Sequence, residues 1–232
     1  MEIAYEVLQE RIDEIQSYLD FLYALDSANK SGAPMVRPDQ YHILIANTFV
    51  LMYNMIEATV IQSVKCLEEV ISSDKECPKN LSQKLKDEWI SNFLGTNEPL
   101  NHRKRLRRGL NFYEHIIGAQ PLTLVISTGS GGNWDDEEIY RLAKRLGIDL
   151  SSIPPSVYAC IKNKLYDEMG CLKFIVRKRN KLAHGEISFS ECGREEELTK
   201  IKKIFIDTSQ YLKAVVSSFD IFSRQRQFLT TG

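Results

Sequence analysis

Arg177-Lys178-Arg179-Asn180-Lys181-Leu182-Ala183-His184-Gly185 crowds a fixed cation, an amide and an imidazole into one short stretch, at the end of a long helical pattern. From Pro155 through Arg179, apolar residues recur at Ile161, Leu165, Met169, Leu172, Ile175 and Val176. That is the three-and-four spacing of a helix with one buried stripe, and Gly185 is a residue at which such a helix stops. The spacing predicts one continuous helix from Pro155 into the motif. On it Asn180 and His184, four apart, share a face, while Arg179 lies about 100° round from Asn180, so the three converge only near the helix end. A guanidinium that stays charged at any working pH, beside an imidazole that titrates near neutrality, suits a phosphodiester: one neutralises developing charge and the other moves a proton. The same residue types also make a basic C-terminal turn that complements the helix dipole and caps carbonyls, so residue types alone leave both readings open.

Outward from the motif the chain reads as helices. The first is expected from Glu2 to about Ala28, with Leu8, Ile12, Ile15, Leu19 and Leu22 on one stripe and acids and Arg11 opposite. A second long helix follows Pro38 and Asp39. Its apolar set of Leu44, Leu51, Met52, Met55, Ile56, Val60, Val64 and Leu67 is broad enough to touch two neighbours, which makes it the centre of a bundle. Within it Asn54 and Glu57, three apart on one face of an otherwise apolar stretch, are expected to be buried against something polar. Residues 72–100 turn polar and irregular around a short helix near Leu81 to Leu94, and 72–150 reads as an insertion. The acids Asp135 to Glu138 open a helix that Gly147 ends. After Glu191-Cys192-Gly193-Arg194 a final helix carries Leu198, Ile201, Phe205, Thr208, Leu212, Val215, Phe219 and Phe222 in nearly unbroken period.

Two stretches invite other chemistry. Gln120 to Ser127 is β-prone, and Gly129-Ser130-Gly131-Gly132 after it lacks the Gly-Lys-Ser/Thr ending of a phosphate loop. Arg103, Lys104, Arg105, Arg107 and Arg108 place five cations in six residues; with Arg177 and Lys181 they are candidates for RNA phosphate contacts, although such a run also serves as a solvated face. The composition is that of an ordinary globule, 43% hydrophobic and 26% charged in 232 residues. A net charge of −1 means that a polyanion would have to bind at a local patch. No run approaches 18 uninterrupted apolar residues and the N-terminus has no signal-like region, so a cytoplasmic protein without membrane contact is expected. Cys66, Cys77, Cys160, Cys171 and Cys192 are odd in number and lack C-x-x-C spacing, which argues for reduced thiols and against a zinc site.

Arg179 to His184 reads R-N-K-L-A-H, an Arg, four residues and a His, and this resembles the motif of HEPN domains (higher eukaryotes and prokaryotes nucleotide-binding). Gly185 to Arg194, Tyr53-Asn54-Met55-Ile56-Glu57, and Gly132-Asn133-Trp134-Asp135 followed by a helix are similar to a stand-alone bacterial HEPN-like nuclease subgroup, so that the resemblance covers roughly Leu44 to Phe222. It implies an all-α bundle, taken as one domain over residues 1–232, and a metal-independent endoribonuclease acting on single-stranded or looped RNA with no cofactor. In the implied mechanism the 2′-OH attacks the neighbouring phosphate, His184 moves a proton, Arg179 stabilises the phosphorane and Asn180 positions phosphate or imidazole. Glu57 and Asn54 would support them, Glu57 by orienting Arg179 or holding the His184 ring. A homodimer with facing motifs, its interface including residues of about 174–188 from both chains, is also implied. So is a role as a toxin or antiviral-defence effector, with an antitoxin or partner defence protein. Inactivation by nucleotide transfer to a Tyr two residues after the His is not expected, because that residue is Glu186. The alternatives are a non-catalytic HEPN-like module that binds RNA, nucleotide or a partner protein, and a purely structural bundle in which the Arg/His pair is a helix cap.

Overall fold

The structure is a computed structural model that describes residues 1–32, 35–74, 76–94, 101–117, 124–129, 133–164 and 166–230. Among these residues there are nine α-helices and no strand, the all-α class the pattern predicts. They are α1 (Glu2–Lys30), α2 (Pro38–Ser73), α3 (Gln83–Leu94), α4 (His102–Ile117), α5 (Asp136–Leu146), α6 (Pro155–Lys162), α7 (Cys171–Ala183), α8 (Phe189–Arg194) and α9 (Leu198–Arg224).

The centre is α2, packed on α1, α7, α8 and α9. Proline pre-sets its first turn, and the Gln40 side chain accepts the Arg37 N–H at 3.0 Å, satisfying one donor at the helix entry. Over an 18-residue window it is apolar enough to span a membrane, and 56% of that window is buried inside the bundle. That apolarity serves its several neighbours. The α1 and α9 stripes also face the core: Leu8, Ile15, Leu19 and Leu22 of α1, and all eight residues named for α9, are buried. Phe174 of α7 meets Phe49 of α2 edge to face at 5.7 Å.

The expected continuous helix from Pro155 is two helices. The chain leaves helical geometry at Asn163, turns through Asp167 and Glu168 at φ 46° and 59°, and closes the reversal with reciprocal Tyr166 and Met169 backbone bonds of 3.2 and 2.8 Å. The turn buries Tyr166 with its ring 5.6 Å from Phe174, which a straight helix could not do. Leu165 lies outside the described residues. The apolar spacing misled because α6 and α7 each bury a stripe, Ile161 on one and Cys171, Leu172, Ile175 and Val176 on the other.

The β-prone segment makes no strand where it is described. Leu124 and Ile126 are buried, the N–H of Ile126 donates to Glu68, and that of Ser127 donates to Glu88 at 3.1 Å, so carboxylates of α2 and α3 replace a strand partner. Residues 118–123 and 130–132, including most of the Gly-rich stretch, lie outside the described residues. Helix α5 has the ends its sequence calls for: Asp135 accepts the N–H groups of Glu137 and Glu138, both at 2.9 Å, and Gly147 closes it in the left-handed conformation. The stretch Glu191 to Arg194, which precedes the final helix, lies within α8. Ser188 and Glu191 form a capping box, a signature present in the sequence. Gly193 lets α8 lie directly on α2, since a Cβ there would sit 1.9 Å from the His42 carbonyl oxygen. All five cysteines are free thiols.

Candidate active site

Helix α7 ends where its sequence predicts. His184 caps it, Gly185 takes φ 69°, the Glu186 N–H reaches back to the Lys181 carbonyl at 2.9 Å and the Gly185 N–H to the Leu182 carbonyl at 3.3 Å. This paired closure is the Schellman arrangement, and it fixes the direction in which the chain leaves the motif.

The motif residues point in different directions. Lys178 is turned inward and is 6% exposed; its ammonium lies 2.8 Å from Glu196 and 3.2 Å from Glu195, and Glu196 also binds Lys200 at 2.8 Å. Burial pulls the Lys178 ammonium down, but the hydrogen bond and charge of Glu196 and the hydrogen bond of Glu195 together hold it above the ordinary lysine range. Arg179, one residue on, is half-buried against α2, its guanidinium carbon 3.5 Å from the centre of the Tyr53 ring. Asn180 donates to the Asn133 side chain at 2.9 Å. His184 is exposed, and its imidazole hydrogen-bonds none of the described residues. At 100° per residue Arg179 and His184 are about 140° apart round the axis and about 7.5 Å apart along it.

Tyr53 is the hub that sequence reasoning passed over. It is buried, and its hydroxyl lies 3.5 Å from Glu57. Burial raises its pKa and Glu57 adds to that; the Arg179 guanidinium and the Trp134 backbone N–H oppose the rise without cancelling it, so the phenol stays protonated at neutral pH. The signal was present in the sequence, because Tyr53 and Glu57 are four apart and share a helix face. Asn133, the partner of Asn180, adjoins Trp134 and the α5 cap Asp135.

The expected burial of Asn54 and Glu57 is corrected. Asn54 is exposed and Glu57 half-buried, both lining an open groove with Arg11 and Glu14, because their face of α2 looks between α1 and solvent. Among the described residues Glu57 is hydrogen-bonded to Tyr53 and to neither Arg179 nor His184. The basic run is helical: Arg103, Lys104, Arg105 and Arg107 are exposed on α4 and Arg108 is half-buried. Helix α4 packs chiefly on α3. Arg177 is exposed, 3.8 Å from Asp167, and Lys181 is half-buried. No cluster of three or more His, Cys, Asp or Glu suited to a metal occurs among the described residues.

A helical bundle in which an Arg/Asn/His turn closes α7 defines an all-α protein. The HEPN_MAE_28990-like HEPN family model matches residues 5–228, and the chain belongs to the HEPN family. No curated protein and no solved structure matches it.

Proposed function

We propose that this HEPN protein is a metal-independent endoribonuclease that cuts single-stranded or looped RNA. The observation that carries the reading is the division of labour on α7: a guanidinium immobilised on Tyr53 beside an imidazole left open to solvent. A charge stabiliser gains from being held rigid before the reaction, and a proton carrier has to reach its substrate. The 2′-OH attacks the adjacent phosphorus and loses its proton, the bond to the 5′-oxygen breaks, and that oxygen gains a proton. The products are a 2′,3′-cyclic phosphate and a 5′-OH. His184 serves the proton transfer, Arg179 the phosphorane charge, and Asn180, fixed by Asn133, the position of the phosphate.

One turn does not complete such a site, since its Arg and His face about 140° apart. A two-fold axis that brings a second turn against the first supplies the missing cation and imidazole. Within 174–188, Phe174, Ile175, Val176, Lys178 and Leu182 are used by the chain's own core, so the homodimer contact falls to the exposed residues Arg177, Ala183 to Glu186 and Ser188. The protein is read as one domain with 72–150 as a helical insertion. It would act in the cytoplasm as a toxin or antiviral-defence effector under the control of an antitoxin or partner defence protein. The test is incubation of end-labelled RNA with purified protein in EDTA. Wild type cuts and leaves cyclic phosphate ends, whereas His184→Ala is slower by about 10²- to 10⁴-fold. Equal cleavage by the two, or cleavage that stops on chelation, overturns the proposal.

A further inference from the structure

Beyond the α7 turn, the exposed face of α5 leads to an open cavity of about 610 Å³ at the other end of that helix. The face begins beside the site, where Asn133 holds Asn180 and Asp135 caps the helix. It continues through Glu137, neutralised by Lys173 and Arg141, to Tyr140 and Lys144. Those two residues are five and nine beyond Asp135, about 8 and 14 Å along the axis. That spans about two to four stacked nucleotide steps of ~3.4 Å.

Two tyrosines, Tyr140 and Tyr158, line the cavity and leave 49% and 36% of their surface in solvent, and the Lys162 ammonium lies 5.7 Å from the centre of the Tyr158 ring. Lys84 and Lys144 line it too, and neither enters an ion pair with a described residue. The Lys84 stem lies against Gly147. Asp149 completes the rim. Its carboxylate accepts the Ser151 N–H at 2.8 Å and hydroxyl at 2.7 Å, bonds that pull its pKa down and keep it anionic. An anion there disfavours a second phosphate and favours a hydrogen-bond donor, such as a ribose hydroxyl or a base amine.

Exposed aromatic rings interleaved with unpaired lysines are how sequence-tolerant sites hold single strands, stacking bases and contacting phosphates. We infer that the Tyr140–Tyr158 cavity is a nucleotide subsite that holds a base and phosphate of the RNA strand a few residues away from the bond being cut. This rests on the endoribonuclease reading for the strand's identity, but its own evidence is the cavity.

The test is fluorescence anisotropy of labelled oligouridylates on His184→Ala, which binds without cutting. Tyr140→Ala weakens binding of a strand of about twelve nucleotides by about 5- to 150-fold, the range for losing one stacked base, while Tyr140→Phe retains it. Lys144→Ala lowers the dependence of log affinity on log salt by about 0.7, one phosphate contact, which a structural role would not alter. With a strand of about three nucleotides Tyr140→Ala matches its parent. Unchanged binding of the long strand by Tyr140→Ala and Lys144→Ala, with parent melting temperatures, overturns the inference. So does uridine 5′-monophosphate binding through Tyr140 as tightly as the long strand, which would make the cavity a free-nucleotide site. If the long strand binds through Tyr140 but wild type cuts no RNA, the cleavage reading fails and the subsite stands. If wild type cuts and Tyr140 is immaterial, the reverse holds.

Discussion

Replacing Tyr53 with Leu removes the platform under Arg179 and leaves the charge in place. The guanidinium carbon is 3.5 Å from the ring centre, close for such a contact, and both partners are at least half-buried. Cation–π contacts contribute about 0.5–1 kcal/mol when exposed and about 2 kcal/mol when desolvated, so about 1–2 kcal/mol of Arg179 positioning is at stake. If that energy is expressed in the transition state, cleavage falls by about 5- to 30-fold at 1.36 kcal/mol per factor of ten. Tyr53 is 2% exposed, so the smaller side chain also leaves a void that destabilises the fold by about 2 kcal/mol. In a chain of this size that lowers Tm by about 4–8 °C. Assays run well below the lowered Tm separate the two effects. Tyr53→Phe is the comparison, because it keeps the ring under the guanidinium and removes the hydroxyl with its bonds to Glu57, the Trp134 backbone and Arg179; a rate nearer to wild type than that of Tyr53→Leu assigns the effect to the ring. A folded Tyr53→Leu that cuts at the wild-type rate would refute the claim that the stacked guanidinium is the catalytic one.

Asn133→Ala should reduce cleavage by no more than Asn180→Ala, and the double variant should be no slower than Asn180→Ala, because Asn133 acts through the one 2.9 Å bond to Asn180; a double variant slower than Asn180→Ala would show independent roles. Glu196→Gln removes the nearer of the two carboxylates that hold the buried Lys178 ammonium, leaving Glu195 at 3.2 Å, and should destabilise the protein by about 1.5–3 kcal/mol in chemical denaturation; a change below about 0.5 kcal/mol would show that Glu196 does not hold Lys178 in place. The folded-state pKa of Lys178 lies above the unfolded value of 10.5, so its stabilisation is fully present below pH 10.5 and is lost as pH rises through the higher folded value; Tm should fall less steeply there in Lys178→Met than in wild type. Mixing excess Arg179→Ala subunits into wild type should depress cleavage per wild-type chain, and unchanged activity, or a monomer in light scattering that still cuts, would show that each chain works alone.

Periodicity alone determined the long helices, since burying one face every 3.6 residues is a local constraint written in each stripe. The α5 ends were equally legible, because Asp135 and Gly147 satisfy backbone groups within their own turn. The α7 turn was found for the same reason: Arg179, Asn180, His184 and the left-handed Gly185 all fall in the short stretch 179–185 of the chain. Only the tertiary structure decided what each of them meets. A stripe records that a face is buried and not what buries it, so Tyr53 beneath Arg179 and Asn133 against Asn180 became visible only when α2 and the α5 entry were laid beside α7. The reversal between α6 and α7 was hidden likewise, because two short helices packed on one core repeat their apolar residues much as one long helix would. The energy that breaks them apart comes from burying Tyr166 on Phe174, a contact that exists only once the chain has turned.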